Sequence, residues 1–269
     1  MTSIEEYYNK FNEDKRLLSR HGQVEFNTTM HFVTEYIERI ASIKNDKSVS
    51  LVDIGAGTGR YSVALAQRGI AVTAVELVNH NLGMIKKNAG EMLGDNACLE
   101  AFHGDARKLK RFRDEQFDIS LLLGPMYHLH SFEDKLKALK EAKRVTAKGG
   151  YIFVGYVMAD YAVIKHGFIE GKILGSIKKG ALNENYGIKS DPEELYDYVR
   201  IEDIDALNEA AGLDRDVIFA PDGPADYIRH ILNKMSEEEF EIFKDYQLRN
   251  ALRPELVGAS SHTVDVLRV

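Results

Sequence analysis

The stretch SLVDIGAGTGRY, residues 50–61, decides how this chain folds. Its first part, Leu51-Val52-Asp53-Ile54, is a short apolar run that reads as a buried strand. Gly55-Ala56-Gly57-Thr58-Gly59 then breaks it, and Tyr61, Ala64 and Leu65 recur at helical spacing. Strand, glycine turn and helix open a nucleotide-binding α/β unit. Glycines permit the tight turn and leave the backbone bare for a ligand. The helix start adds unpaired N–H groups facing the same point.

Charge refines the ligand. A dinucleotide site reads G-x-G-x-x-G, but here the third glycine comes one place early, at Gly59, and Arg60 stands where it would be. Asp53 lies two residues before Gly55, where a carboxylate repels a pyrophosphate and favours a cation. NAD is therefore disfavoured, and a positively charged ligand, such as a sulfonium bearing an amino group, is favoured.

With Asp53, Gly55, Gly57 and Gly59 in place, the chain resembles the class I S-adenosylmethionine (SAM)-dependent methyltransferases, whose first motif is D/E-x-G-x-G-x-G. The resemblance covers most of the chain and is densest over residues 50–157. It implies an α/β fold with a mostly parallel, seven-stranded Rossmann-like sheet, helices on both faces and an antiparallel last strand. It also implies SAM as cofactor, held along Asp53, Gly55, Ala56 and Gly57. Glu76 ends the second strand, 70–76, at the spacing from which an acid reaches ribose hydroxyls. The resemblance gives Glu76 that role, with Leu77 against the adenine. It gives Asp105 the adenine amino group, Ala106 a ring nitrogen, and the backbone of Leu123 the SAM amino group.

Composition limits the alternatives. The chain has 269 residues, 44% hydrophobic and 29% charged, with a net charge of −7 and a pI near 5.8. That balance argues against a nucleic-acid backbone as partner. A single cysteine, Cys98, excludes an internal disulfide and a cysteine zinc cluster. No apolar run approaches the ~18 residues of a membrane helix. The start, MTSIEEYYNK, is no secretory signal, so a cytoplasmic protein is expected.

Four segments are expected. Residues 1–45 form a helical flap, with Tyr7, Tyr8 and Phe11 as one patch and Met30, Val33, Tyr36, Ile37 and Ile40 as a buried stripe. Arg16, Arg20 or His21 would face the cofactor from it. Residues 46–157 are the SAM-binding core, with strands at 97–103, 117–123 and 151–157. A helix over 79–92 closes at Gly94. Another, over 131–147, is capped at Ser131 and stopped by Gly149-Gly150. Residues 158–212 break the rhythm and read as a helical lid insertion after strand five, with a helix opening at Asp191-Pro192. Residues 213–269 complete the sheet with strands at 213–220 and 262–269.

The fourth strand runs into Gly124-Pro125-Met126-Tyr127-His128-Leu129-His130, beyond the strand ends where ligands of open α/β sheets bind. His128 is the candidate base and Tyr127 the orienting group, since histidine titrates near neutrality. Gly124 replaces the residue with which base-N6 enzymes grip an amine, which points away from nucleic-acid bases. His128 and His130 alone make half a metal site, so no metal is expected. The basic run Arg107 to Arg113 leaves open an RNA or protein methyltransferase, and a SAM-binding protein without catalysis is a further alternative. The reading preferred is methyl transfer to a small-molecule acceptor. Sequence alone gives no acceptor identity and no oligomeric state.

Overall fold

The elements, in chain order, are α1 (Arg20–Ile43), β1 (Ser50–Ile54), α2 (Arg60–Ala66), β2 (Ala71–Glu76), α3 (Asn79–Leu93), β3 (Leu99–His103), β4 (Phe117–Leu122), α4 (Phe132–Val145), β5 (Thr146–Val157), α5 (Ile173–Lys178), α6 (Ile201–Ala211), β6 (Asp214–Phe219), α7 (Glu237–Asn250) and β7 (His262–Arg268). A computed structural model describes residues 18–44, 48–94 and 98–269. Tyr7, Tyr8, Phe11 and Arg16, and the predicted start of the third strand at Ala97, lie outside the described residues.

The sheet has seven strands in the order β3-β2-β1-β4-β5-β7-β6. β1 pairs in parallel with β2 and β4, and β7 runs antiparallel between β5 and β6. Both the parallel core and the reversed last strand match the expectation. Strand side chains alternate between two apolar cores. Val52, Leu122, Ile152 and Val154 pack on one face with Leu139 of α4 and Ile204 and Leu207 of α6. Leu51, Leu121, Phe153 and Val266 pack on the other with Val33, Tyr36 and Ile37 of α1 and Leu65 of α2. The stripe predicted for α1 is buried along its length.

The helix ends follow local chemistry. Ser131 accepts a hydrogen bond from the Asp134 N–H and starts α4. Gly94 and Gly212 close α3 and α6 with positive φ. Two expectations are corrected. α4 ends at Val145, where Thr146 turns extended and starts β5 directly, so Gly149-Gly150 lies inside the strand span and stops no helix. No helix opens at Asp191-Pro192. There Asp191 closes only a turn, its Oδ1 accepting from the Glu193 N–H at 3.0 Å. The chain beyond is drawn into extended pairing: Asp197 N–H donates to Tyr127 O at 2.8 Å and Val199 N–H to Val157 O at 3.1 Å. The helix waits until Ile201. Residues 158–200 hold a short helix at Ala159–Ala162, a π-helix at Val163–Ile169, then α5 and a series of turns.

The glycine turn after β1 and the loop after β4 are fitted to one another. A Cβ on Gly55, at φ +75°, would lie 2.5 Å from Pro125 Cγ, and one on Gly124 would lie 3.0 Å from Gly55 O. Gly55→Ala should therefore lower stability by about 1–3 kcal/mol in thermal or denaturant unfolding. Gly90→Ala, on the exposed face of α3 with nothing within 4 Å of the new methyl, should raise it by up to ~1 kcal/mol.

Candidate active site

At the carboxyl ends of β1, β2 and β4 the loops surround a cavity of about 480 Å³. That is ample for a nucleoside-sized ligand. Asp53, Gly55, Ala56, Gly57, Glu76, Leu77, Asp105, Ala106, Leu123, Tyr127 and His128 all line it. These eleven predicted site residues come from five separate stretches of chain, and the parallel sheet brings them together.

Two acids lie at its floor. Asp53 is buried on β1 and accepts from Ser62 Oγ at 2.6 Å, which ties the strand to α2. Burial pushes its carboxyl up to about 6, with the Ser62 hydrogen bonds opposing. Glu76 is buried at the tip of β2; one oxygen accepts from the Gly57 N–H and the other from the Val78 N–H, each at 2.8 Å. Glu76 thus braces the glycine turn as well as facing the cavity. Burial pushes it up to about 7 against those hydrogen bonds. Asp105 behaves differently. Burial raises it, but the guanidinium of Arg107, with Nη2 at 2.7 Å, outweighs that and lowers its pKa.

The basic run is partly absorbed by the protein itself. Arg107 bridges Asp105 and Asp134, and Arg111 stacks over Phe102 at 4.4 Å. Arg60, missed by sequence reasoning, lines the cavity; its guanidinium lies 5.1 Å from the Phe26 ring, and its Nε meets no acceptor among the described residues. Its place directly after Gly59 is a signal that could have been read.

Two predicted site residues serve otherwise. Arg20 does not line the cavity. Its Nη1 donates to Leu232 O at 2.7 Å and Met235 O at 2.6 Å, its Nη2 reaches Glu237 at 3.2 Å, and it stacks on Phe240. It clamps α1 to the start of α7. His128 lines the cavity but is ill suited to take a proton at neutral pH. Its ring sits beside Tyr127 and Tyr196, and Nδ1 lies 3.0 Å from Leu195 O. Burial lowers its pKa to about 4, with the Leu195 hydrogen bond opposing and His130 assisting. Of residues 158–212, the segment expected to form a lid, only Pro192 reaches the cavity lining.

The sheet order and the reversed last strand are those of a Rossmann-like methyltransferase fold. Residues 52–154 match the methyltransferase domain family. The chain is 28% identical over 116 residues to a glycine/sarcosine N-methyltransferase of Aphanothece halophytica, covering 43% of each chain. It is 32% identical over 118 residues to a probable tRNA methyltransferase 9B of Mus musculus, covering 44% of this chain and 24% of that one. The chain thus spans less than half the length of these curated relatives. In fold it is similar to a SAM-dependent methyltransferase of Thermotoga maritima described as a possible histamine N-methyltransferase, with a TM-score of 0.56 and 18% identity over 98% of this chain and 97% of that one. Among the described residues no helix is long and apolar enough to cross a membrane.

The raised acids carry a pH consequence. A carboxyl whose pKa is higher folded than unfolded binds more protons in the folded state, so its contribution to stability falls as pH rises between the two values. For Glu76 that window runs from about 4.5 to about 7. The melting temperature of Glu76→Gln, relative to the parent, should therefore climb across the window and level off above it. A difference independent of pH would contradict the burial argument.

Proposed function

We propose that this chain transfers a methyl group from SAM to a small-molecule acceptor. The observation that carries the reading is a cavity joining a bare glycine turn to two buried acids, Asp53 and Glu76, at the ends of β1 and β2. The turn admits the nucleoside close to the backbone. Glu76 accepts from the ribose hydroxyls, and Leu77 flanks the adenine. Asp105 and the Ala106 N–H read the base edge. The sulfonium and amino group sit toward Asp53 and the Leu123 carbonyl, where negative charge and backbone dipole favour a cation. Arg60 is suited to the carboxylate of the methionine half.

The acceptor enters beside Tyr127 and His128. Its lone pair attacks the methyl carbon in line, the S–CH3 bond breaks, and neutral sulfide leaves. The cofactor supplies the reactive bond; the protein contributes alignment, worth up to ~7–11 kcal/mol in favourable cases. His128, neutral at pH 7, serves here through shape and hydrogen bonding.

A small acceptor is favoured over RNA because the chain is acidic and Arg107, at the cavity, is already paired with Asp105 and Asp134. The glycine/sarcosine relative supports the same choice, whereas the tRNA relative keeps RNA as the second reading. Incubation with isotopically labelled SAM and a metabolite extract, read by mass spectrometry, should reveal a methylated small molecule. Label appearing in RNA instead would favour the second reading.

Calorimetric titration should give one SAM per chain, and Glu76→Ala should weaken it at least tenfold. Affinity should also rise with pH through about 7 as Glu76 ionises, since the cationic ligand prefers the charged acid. Unchanged affinity in Glu76→Ala would overturn the ribose assignment.

A further inference from the structure

Three side chains from distant parts of the sequence converge beside the cavity. Glu25 comes from α1, Asp222 from just beyond the end of β6, and His262 is the first residue of β7. Because β7 is antiparallel, His262 pairs with Val157 at the far end of β5, which brings it to the carboxyl edge of the sheet. That edge is where ligands of this architecture bind. Glu25 lines the cavity, and the His262 ring lies 6.4 Å from that of Tyr127, which also lines it.

The donor atoms face one point. His262 Nδ1 is 2.8 Å from Asp222 Oδ2 and 3.8 Å from Glu25 Oε2, and all three ligand atoms lie within 4.8 Å of one another. Ligands about 2.1 Å from a tetrahedral ion stand about 3.4 Å apart, a spacing these distances bracket. Both carboxylates are buried. Asp222 is also held from behind: its Oδ1 accepts from Ser260 Oγ at 2.5 Å and from the His262 N–H at 3.1 Å, which leaves Oδ2 aimed at the imidazole. Such outer hydrogen bonds fix a ligand's direction.

We propose that Glu25, Asp222 and His262 bind one divalent transition-metal ion, of the zinc, cobalt or manganese kind, at the acceptor end of the cavity. Two carboxylates match the charge of a divalent ion. An imidazolium in the same place would leave the group net negative and buried, which is costly. One imidazole with two carboxylates suits these ions better than magnesium, which prefers an all-oxygen shell. Three protein ligands leave coordination positions open, and Glu25 directs them toward the cavity. There the ion would hold an oxygen or nitrogen of the acceptor and ease loss of its proton. That role rests on the methyltransferase reading; the site itself does not.

The test uses the full chain without an affinity tag, stripped by chelator and titrated with Zn²⁺ by calorimetry and with Co²⁺ by visible absorption. One ion per chain is expected, with cobalt d–d bands of a low-symmetry site. His262→Gln and Asp222→Asn should each weaken binding at least tenfold, and Glu25→Gln should weaken it in the same direction. Circular dichroism and SAM titration of each variant report whether the fold is kept. Stoichiometric binding lost in a folded variant supports the site. Absence of binding by the parent chain, or parent-like binding by a folded His262→Gln, overturns it. SAM binding without metal binding would refute this proposal alone; metal binding without SAM binding would refute only the cofactor reading.

Discussion

Two loops touch where neither has room for a side chain, and the site is built on that contact. The turn after β1 and the loop after β4 meet through Gly55, Gly124 and Pro125, with backbone in contact with backbone. Parallel pairing of β1 with β4 sets the two loops at the same height, and the missing Cβ atoms let them close. Glu76 then holds the turn from its other side through the Gly57 N–H. The glycine turn, the loop after β4 and the tip of β2, which all line the cavity, meet in this arrangement.

The electrostatics follow from the same burial. Asp53 and Glu76 are shielded from water by the sheet and its helices, and each keeps its proton to a higher pH than an exposed acid. An incoming cation reverses that preference, so ligand charge and carboxyl ionisation favour one another. Basic groups at the cavity divide into two kinds: Arg107 is committed to Asp105 and Asp134, whereas Arg60 stacks on Phe26 beside the turn. The asymmetry gives the cavity an acid floor and one cationic wall.

The core was legible in the sequence because its signals are local. The apolar run 51–54, the glycines after it and the acid at Glu76 lie within 27 residues, and each has a short-range physical cause. The stripe on α1 was readable from periodicity for the same reason. Errors arose where a distant segment decided the outcome. Asp191-Pro192 carries a helix-start pattern, yet pairing of Val199 with β5 keeps the following chain extended. His128 looked like a base, but burial among distant segments depresses its proton affinity, against the Leu195 hydrogen bond that opposes the shift. Arg20 looked ready to meet a cofactor, but carbonyls more than 200 residues on hold it instead. The grouping of Glu25, Asp222 and His262 has no local signature, because only the closed sheet puts these positions together.

The reversed strand also sets an order of assembly. β5 and β6 are synthesised well before β7, yet in the finished sheet they are separated by it and pair with it along its length. During synthesis on the ribosome, β6 therefore has no place in the sheet until residues 262–268 have emerged. Until then the edge of β5 stands open. Such late, long-range closure slows folding and leaves an unsealed strand edge during the interval. The strands that carry the glycine turn and Glu76 can pair early, whereas Glu25, Asp222 and His262 are brought together only once β7 has entered the sheet.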